Sequence, residues 1–367
     1  MELFKFNYVT DPTVLEQGET INGAKRIMWV ERYSEPGEFE IEAPLSSGLR
    51  DFLPLGTLIS HLDTMEVMIV ENQSIGEKTK EDPTITITGR SFESYLENRI
   101  VGIDLARTSG LIAEYVIDAD FTWNQIVNLI NEHIRDTINA DDALVNVYAV
   151  AAIDGTSVSE SRIIDRGTVH ERVHELLKID DLGIKTIRRS PFSEFGGSTL
   201  DTILLIYVGE DHTNDVIFSW TGGDLDSIEY LFSNKALKNS ALVVSKYLYI
   251  PVDGTETKYN RRTMIVDASD IDGHLNELPA GGDLLAQIAK MQVRGRQALA
   301  SQSGVSISQS DISKISKYQY RKDYNIGDLV TLQSDYRNSV TVRVTEYAEI
   351  EDKNGESGHP TLSVPGA

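Results

Sequence analysis

Short runs in which polar and apolar residues alternate are the feature that most restricts the fold of this chain. In the run at 38–43, apolar side chains lie on one face of an extended backbone and glutamates lie on the other. A period of two is typical of a β-strand with one buried and one solvated face. The two sets are Phe39, Ile41 and Ala43 on the first face, and Glu38, Glu40 and Glu42 on the second.

The run follows a segment rich in β-formers at 27–33 and a turn with proline and glycine at 34–37, which predicts an antiparallel hairpin. Apolar residues spaced by three and four predict helices. Gly183 is placed to end the helix expected at 169–177. The predicted fold class is therefore mainly β with α/β insertions (α+β). Further strands are expected at 57–59, 65–70, 84–88, 145–151, 202–208, 216–220, 241–250 and 263–266, helices at 92–100, 123–134, 169–177 and 281–291, and a linker or strand at 301–310.

Length and charge exclude several classes of protein. The chain has 367 residues, enough for two to four domains, and no cysteine for disulfides or thiolate metal sites. Its net charge of −23 comes from 34 basic and 57 acidic residues without a basic cluster, which argues against stable binding to DNA or anionic lipid. No signal peptide and no apolar membrane span is expected.

An internal repeat links the two ends of the sequence. The segment at 55–60 (LGTLIS) matches the segment at 326–331 (IGDLVT), and each is followed by a second strand and then by a Pro-Thr strand beginning at Pro83 or Pro360. A repeat of strand order in one chain favours two copies of a small β-barrel, since closure removes free strand edges. Residues near 27–101 and 311–366 are predicted to superimpose; chance similarity is the alternative.

Over most of its length, the chain resembles the Pepy-like siphovirus tail proteins, and through them the baseplate hub of contractile phages. The sharpest motifs fall within residues 36–101, and they are patterns of turns and strands. The stretches that carry the resemblance are Pro36-Gly37-Glu38-Phe39-Glu40-Ile41, Pro44, Gly56, Gly89-Arg90-Ser91-Phe92-Glu93-Ser94-Tyr95-Leu96, Arg99-Ile100-Val101 and Arg262-Thr263-Met264-Ile265-Val266-Asp267.

The resemblance implies two tube-like β-barrels per chain plus two smaller mixed domains. The first barrel is expected at 1–105, with strands from 199–232 completing it as one option. The second barrel is expected at 233–255 and 310–367. An α/β insertion is expected at 106–198 and a helical or mixed insertion at 256–309.

The resemblance also implies a structural role without catalysis or a cofactor. The expected protein is a tail hub that closes the distal end of the tail tube, joins it to the tail tip or baseplate, and surrounds the path of DNA ejection. The implied partners are two further copies in a homotrimer, a distal tail or tail tube protein, the tape measure protein, and tail fibre or tip proteins. DNA would pass without stable binding. The expected location is the virion, after assembly in the host cytoplasm and without a membrane anchor.

One catalytic motif is present, and it keeps an enzymatic alternative open. His170, Glu171 and His174 form an HExxH string on a predicted helix, the spacing by which zinc peptidases place two imidazoles and a general base. Arg172 within the string and the absence of an extended third-histidine motif favour an inert helix, with Glu194 as an unsupported third ligand. Zinc is therefore not expected, and His174→Ala is expected to leave folding unchanged. The alternatives are a cell-wall-degrading tail enzyme and, without positive support, a carbohydrate-binding receptor protein.

Overall fold

The computed structural model describes residues 1–8, 15–76, 83–102, 115–137, 143–153, 162–164, 167–188, 202–219, 221–232, 238–253, 258–268, 282–300, 306–312, 316–333 and 339–363. Most of its regular structure is β-strand, with four α-helices among these residues. None of the helices in the described ranges combines the length and apolarity needed to cross a bilayer. The predicted α+β class, mainly β, is confirmed.

The N-terminal strands and the C-terminal strands form one eleven-stranded sheet. Its order is β13-β19-β20-β3-β4-β7-β6-β5-β1-β2, with β21 beside β20. The strands are β1 (Leu3–Tyr8), β2 (Leu15–Thr20), β3 (Arg26–Arg32), β4 (Glu38–Pro44), β5 (Leu58–His61), β6 (Val67–Gly76), β7 (Thr84–Ser91), β13 (Ile217–Ser219), β19 (Leu329–Gln333), β20 (Ser339–Asp352) and β21 (Gly355–Ser363).

The hairpin expected from the alternating run is confirmed. Strands β3 and β4 pair antiparallel, with Trp29 opposite Phe39, and the apolar positions of β4 are buried whereas its glutamates are only partly so. Trp29 is completely buried and its ring stacks on that of Phe39 at 6.1 Å between centroids. Among the residues described, the strand ladders close neither half of the sheet into a separate barrel.

The internal repeat extends to hydrogen bonds and register. In the N-terminal copy, the Gly56 amide donates to the Val70 carbonyl at 2.8 Å; in the C-terminal copy, the Gly327 amide donates to the Val344 carbonyl at 2.8 Å. Each of these valines is followed by one bulged residue in its pairing with the next strand, Glu71 in β6 and Thr345 in β20. A bulge at the same position is a specific backbone feature, so the repeat is structural and not a chance match.

The register corrects one detail of the sequence comparison. Pro360 lies opposite Tyr347, three residues after Val344. The equivalent of Tyr347 in the first copy is Gln73, three residues after Val70, and it lies opposite Ile87 and not opposite Pro83. The two Pro-Thr pairs are therefore not equivalent, although the order of the strands that contain them is.

A second sheet with two helices lies between the repeats and buries the largest apolar cluster. Strand β12 pairs with β9 in parallel and with β11 antiparallel, and β8 pairs with β10. The option that strands from 199–232 complete the first barrel is therefore wrong for β12, because its neighbours are the insertion strands. A short helix, α1 (Leu49–Phe52), lies between β4 and β5 in the chain. The elements of the insertion are β8 (Tyr115–Ile117), α2 (Thr122–Ile134), β9 (Val147–Ala152), β10 (Arg162–Ile164), α3 (Val169–Ile179), β11 (Gly183–Arg188) and β12 (Thr202–Tyr207).

A third unit contradicts the expected boundary at 255. Strand β15 (Ser240–Val244) lies between β16 (Tyr249–Asp253) and β17 (Thr263–Asp267), and helix α4 (Gly282–Ala300) covers one face. Residues 240–253 therefore belong with the insertion and not with the second barrel, because Ala241 and Val243 are buried together with Met291 of α4. Strand β14 (Leu225–Phe232) pairs with β18 (Ser306–Ile312), which places part of the 301–310 segment in a strand.

Two local expectations change in the structure. The helix expected at 92–100 is a 3₁₀ helix over Phe92–Asn98. Side chains three residues apart eclipse in a 3₁₀ helix, and the rings of Phe92 and Tyr95 do stack, 5.4 Å apart. Gly183 does not end α3, which stops at Ile179; it is the first residue of β11.

Candidate functional site

The contact between the two repeats is the most specific polar feature of the main sheet. The second half of β20 pairs antiparallel with β3, from Glu346 opposite Arg32 to Glu351 opposite Ile27. The Arg32 guanidinium binds Glu346 at 2.6 Å and Glu38 at 2.7 Å, which ties both repeats together. The Tyr33 amide continues this ladder by donating to the Thr345 carbonyl at 2.9 Å.

The Tyr33 ring lies at the centre of this junction. It meets Tyr207 edge to face at 5.4 Å, and its hydroxyl donates to the Asp181 carbonyl at 2.8 Å. Two glycines allow the close approach: a Cβ atom at Gly183 would lie 2.3 Å from the ring, and one at Gly327 would lie 2.6 Å from it. Gly183 is therefore needed for packing against Tyr33 and not for helix termination.

Arg343 completes the junction from β20. It is 6% exposed, and its guanidinium lies over the Tyr33 ring at 4.7 Å from the centroid. Its Nη2 donates to an Asp181 carboxylate oxygen at 2.7 Å, and Nη1 donates to the Gly327 carbonyl. One side chain thereby joins both repeats to the insertion sheet.

A polar cavity of about 260 Å³ lies beside the junction. Glu31 accepts hydrogen bonds from the Tyr320 hydroxyl at 2.5 Å and from Arg321 Nη2 at 3.0 Å, and the same guanidinium nitrogen binds Glu349 at 2.9 Å. The cavity wall also includes Glu66, Lys185, Tyr207 and Asn325. Charged groups from both repeats and from the insertion sheet thus line one interior region.

Burial controls the ionisation of the groups around this region. Burial raises the pKa of Glu66 well above its usual value, and the neighbouring charge of Glu31 raises it further. Burial also raises the pKa of Glu93 to about 8. Burial lowers the pKa of His61 to about 4, so that imidazole is neutral at pH 7. The interior therefore holds fewer charges than its residue types suggest.

The glutamate face of β4 is a mixed-charge face, because arginines of β3 project among the glutamates. Arg32 binds Glu38 at 2.7 Å, while Arg26 binds Glu40 and lies 3.8 Å from Glu42. All five side chains are between 27% and 45% exposed, so these ion pairs are accessible to solvent.

The HExxH string lies on α3, and its parts have local structural roles. Glu171 forms a capping box with Thr168: each accepts a hydrogen bond from the backbone amide of the other. The rings of His170 and His174 lie 4.1 Å apart, and burial lowers the pKa of His174 to about 3. Glu171 is thus used at the helix start. Glu194, the suggested third ligand, lies outside the described residues.

We expect purified protein to contain no stoichiometric zinc. No group of three or more histidine and carboxylate side chains in the described ranges is placed to hold a metal. Elemental analysis after dialysis is the measurement, with His170→Ala as the matched variant. One zinc per chain that disappears in this variant would contradict the expectation. His174 is 6% exposed, so its replacement by alanine removes packed volume. A change in the folding of the His174→Ala variant would therefore give no information about zinc.

The sequence over residues 7–362 matches the siphovirus ReqiPepy6 Gp37-like protein family. The chain belongs to this family. The match confirms the resemblance to siphovirus tail proteins. No curated protein matches the chain.

Solved phage tail proteins share the fold of this chain at low sequence identity. The tail protein from Neisseria meningitidis MC58 is 12% identical with a TM-score of 0.58, covering 100% of this chain and 97% of its own. The 43 kDa tail protein of prophage MuSo2 from Shewanella oneidensis is 15% identical (TM-score 0.56; 100% and 99%). Prophage tail protein gp18 from Listeria monocytogenes EGD-e is 10% identical (0.56; 99% and 94%).

The residues of the junction between the repeats cannot be recognised in the sequence. Tyr33, Gly183, Gly327 and Arg343 carry no motif, and they meet only through the pairing of β3 with β20. The one signal in the sequence is the position of Gly327 in the internal repeat. Trp29 is buried in the core of the main sheet, and Trp123 is partly buried against the core of the insertion; Trp220 lies outside the described residues.

Proposed function

We propose that this chain is the hub of a siphovirus tail, closing the distal end of the tail tube and joining it to the tail tip or baseplate. The observation that carries the proposal is the internal repeat, whose two copies share the position of a β-bulge. Two equivalent halves per chain allow three chains to present six similar units, which can mate with a six-fold tube. Two tube-like barrels per chain would then be completed in the assembly, through contacts between neighbours.

The proposed partners follow from that position. They are two further copies in a homotrimer, a tail tube or distal tail protein above, tail fibre or tip proteins below, and the tape measure protein within. DNA would pass through the ring without stable binding. The surplus of 57 acidic over 34 basic residues supports this part, because each lysine or arginine contact to a phosphate would retain the DNA by counterion release.

We expect the purified protein to have three times the mass of one chain in solution. Light scattering or native mass spectrometry over a concentration series is the measurement, and a single-chain mass at the highest concentration would contradict the trimer. The position is tested separately by antibody labelling of intact tails. Label at the distal end is expected, and label along the tail shaft would contradict a hub.

The lining of the bore is a further expected result. In a map of the assembled tail, carboxylates should outnumber lysine and arginine on the surface that faces the axis. A bore lined mainly by basic side chains would contradict the electrostatic argument while leaving the trimer intact. We propose no catalytic role, since Glu171 is engaged in the capping box of α3.

A further inference from the structure

The two repeats have the same local structure but differ in what covers them. The second half of β20 is covered by β3 of the same chain. The equivalent edge, residues 72–76 of β6, pairs with no strand on the side of β5 among the described residues. Apart from Gln73, every residue of this edge is exposed, and such an edge is a ready template for another strand.

The residues next to the edge show the same contrast. Ile326 in the second repeat is 7% exposed, whereas its equivalent Leu55 in the first is 63% exposed. A Cβ atom at Gly327 would meet the Tyr33 ring, whereas one at Gly56 would meet nothing within 4 Å. Ile75, on the open edge itself, is 47% exposed. Among the described residues, the first repeat therefore leaves uncovered the surface that the second repeat buries against β3.

The element that would cover this surface can be identified by its place in the repeat. Strand β3 pairs with β4, and β4 pairs with β7. In the second repeat, β14 pairs with β18, and β18 lies against β21, the equivalent of β7. Strand β14 is thus the counterpart of β3. Within the described residues it pairs only with β18, so its other edge has no strand beside it.

We infer that the open edge of β6, together with Leu55 and Ile75, binds strand β14 of a second copy of this chain. The contact would repeat between chains what β3 and β20 form within one chain. It rests on the proposed hub, and it names the interface that would build it. Two different edges on one chain give a head-to-tail contact, which can close into a ring. Gln73 Nε2 donates to the Arg50 and Leu53 carbonyls at 2.9 and 2.6 Å, so the edge is held in place beforehand.

The test places a charge at the centre of the proposed interface. Leu55→Glu and Ile75→Glu are expected to weaken self-association by about 30-fold or more, the loss typical of a buried contact residue. Both positions are exposed in the single chain, so the melting temperature of the unassembled chain should not change. Leu285→Glu is the matched control, because Leu285 is also exposed, at 69%, but lies on α4 away from the edge. Solution mass against concentration is the readout.

Each outcome bears on the inference. Dissociation of both variants with an intact control supports it. A wild-type multimer that Leu55→Glu leaves unchanged would overturn this interface while the proposed hub stands. A wild type that stays a single chain would overturn the interface and the trimer together.

Disulfide formation gives a second test that does not depend on the charged variants. The chain has no cysteine, so Ser74→Cys can be combined in turn with a cysteine at 227, 228, 229 or 230 of β14. Side chains on paired strands alternate between faces, so covalent multimers should form with one alternate set of positions and not with the other. Absence of covalent multimers from all four pairs would overturn the inference.

Discussion

Replacement of Glu93 by glutamine is expected to stabilise the fold at alkaline pH. Glu93 is 1% exposed, and its backbone amide donates to Thr186 Oγ1 of β11. Burial raises the pKa of its carboxyl group from 4.5 to about 8. Hydrogen bonds from Ser91 and Thr186 lower that pKa only in part. Because glutamine keeps an acceptor oxygen and cannot ionise, the variant avoids the cost of burying a charge.

The direction in which stability changes with pH follows from the raised pKa of Glu93. The stability associated with Glu93 is fully present below its unfolded pKa of 4.5 and is lost as the pH rises through about 8. At about 1.4 kcal/mol per pKa unit, the loss is on the order of 5 kcal/mol above pH 8. Urea unfolding of wild type and Glu93→Gln from pH 5 to 9 measures the difference. Glu66 titrates in the same direction but is present in both proteins.

Glu97 provides an internal control with the opposite sign. It lies on the same 3₁₀ helix as Glu93, and hydrogen bonds from Arg90 lower its pKa. Its contribution is therefore present above its unfolded pKa and is lost as the pH falls. Glu97→Gln should lower stability near neutral pH, with the difference vanishing in acid. A Glu93→Gln variant less stable than wild type at pH 9 would contradict the assignment of Glu93.

Replacement of Arg343 by methionine is expected to loosen the junction between the repeats. The substitution removes the bond to Asp181, the bond to the Gly327 carbonyl, and the contact with the Tyr33 ring. Loss of one partner of a buried ion pair costs about 3–5 kcal/mol. The Asp181 side chain is 43% exposed, so water can hydrate its carboxylate once the arginine is gone. We therefore expect a loss of about 3 kcal/mol in the free energy of unfolding.

Arg135 serves as the matched control for this substitution. It binds Asp136 at 3.2 Å, with the two side chains 46% and 55% exposed. Exposed ion pairs contribute about 0–1 kcal/mol, so Arg135→Met should change the unfolding midpoint little. Equal effects of the two substitutions would show that Arg343 does not join the three parts of the chain. Methionine retains most of the buried volume, so the comparison isolates the charge and its hydrogen bonds.

Some of this fold is determined by local sequence. The alternation at 38–43 and the spacing of apolar residues at 123–134 predicted β4 and α2, because a backbone with a fixed period places every second, or every third and fourth, side chain on one face. The repeat around Gly56 and Gly327 was also visible in the sequence. The sequence pattern around Gly183, by contrast, predicts a helix end, because the role of a glycine after a helix is ambiguous until its neighbours in space are known.

Other parts were decided only by tertiary structure. Strand β3 pairs with residues 346–351 of β20 across more than 300 positions of chain, and no local pattern encodes a partner at that distance. The sequence also could not distinguish the covered Ile326 from the exposed Leu55, because both are apolar residues before a glycine. Their different burial depends on which strand lies beside them. The amino-acid pattern determined the two repeats, and the pairing of β3 with β20 determined that one edge is filled within the chain, while the other has no strand beside it among the described residues.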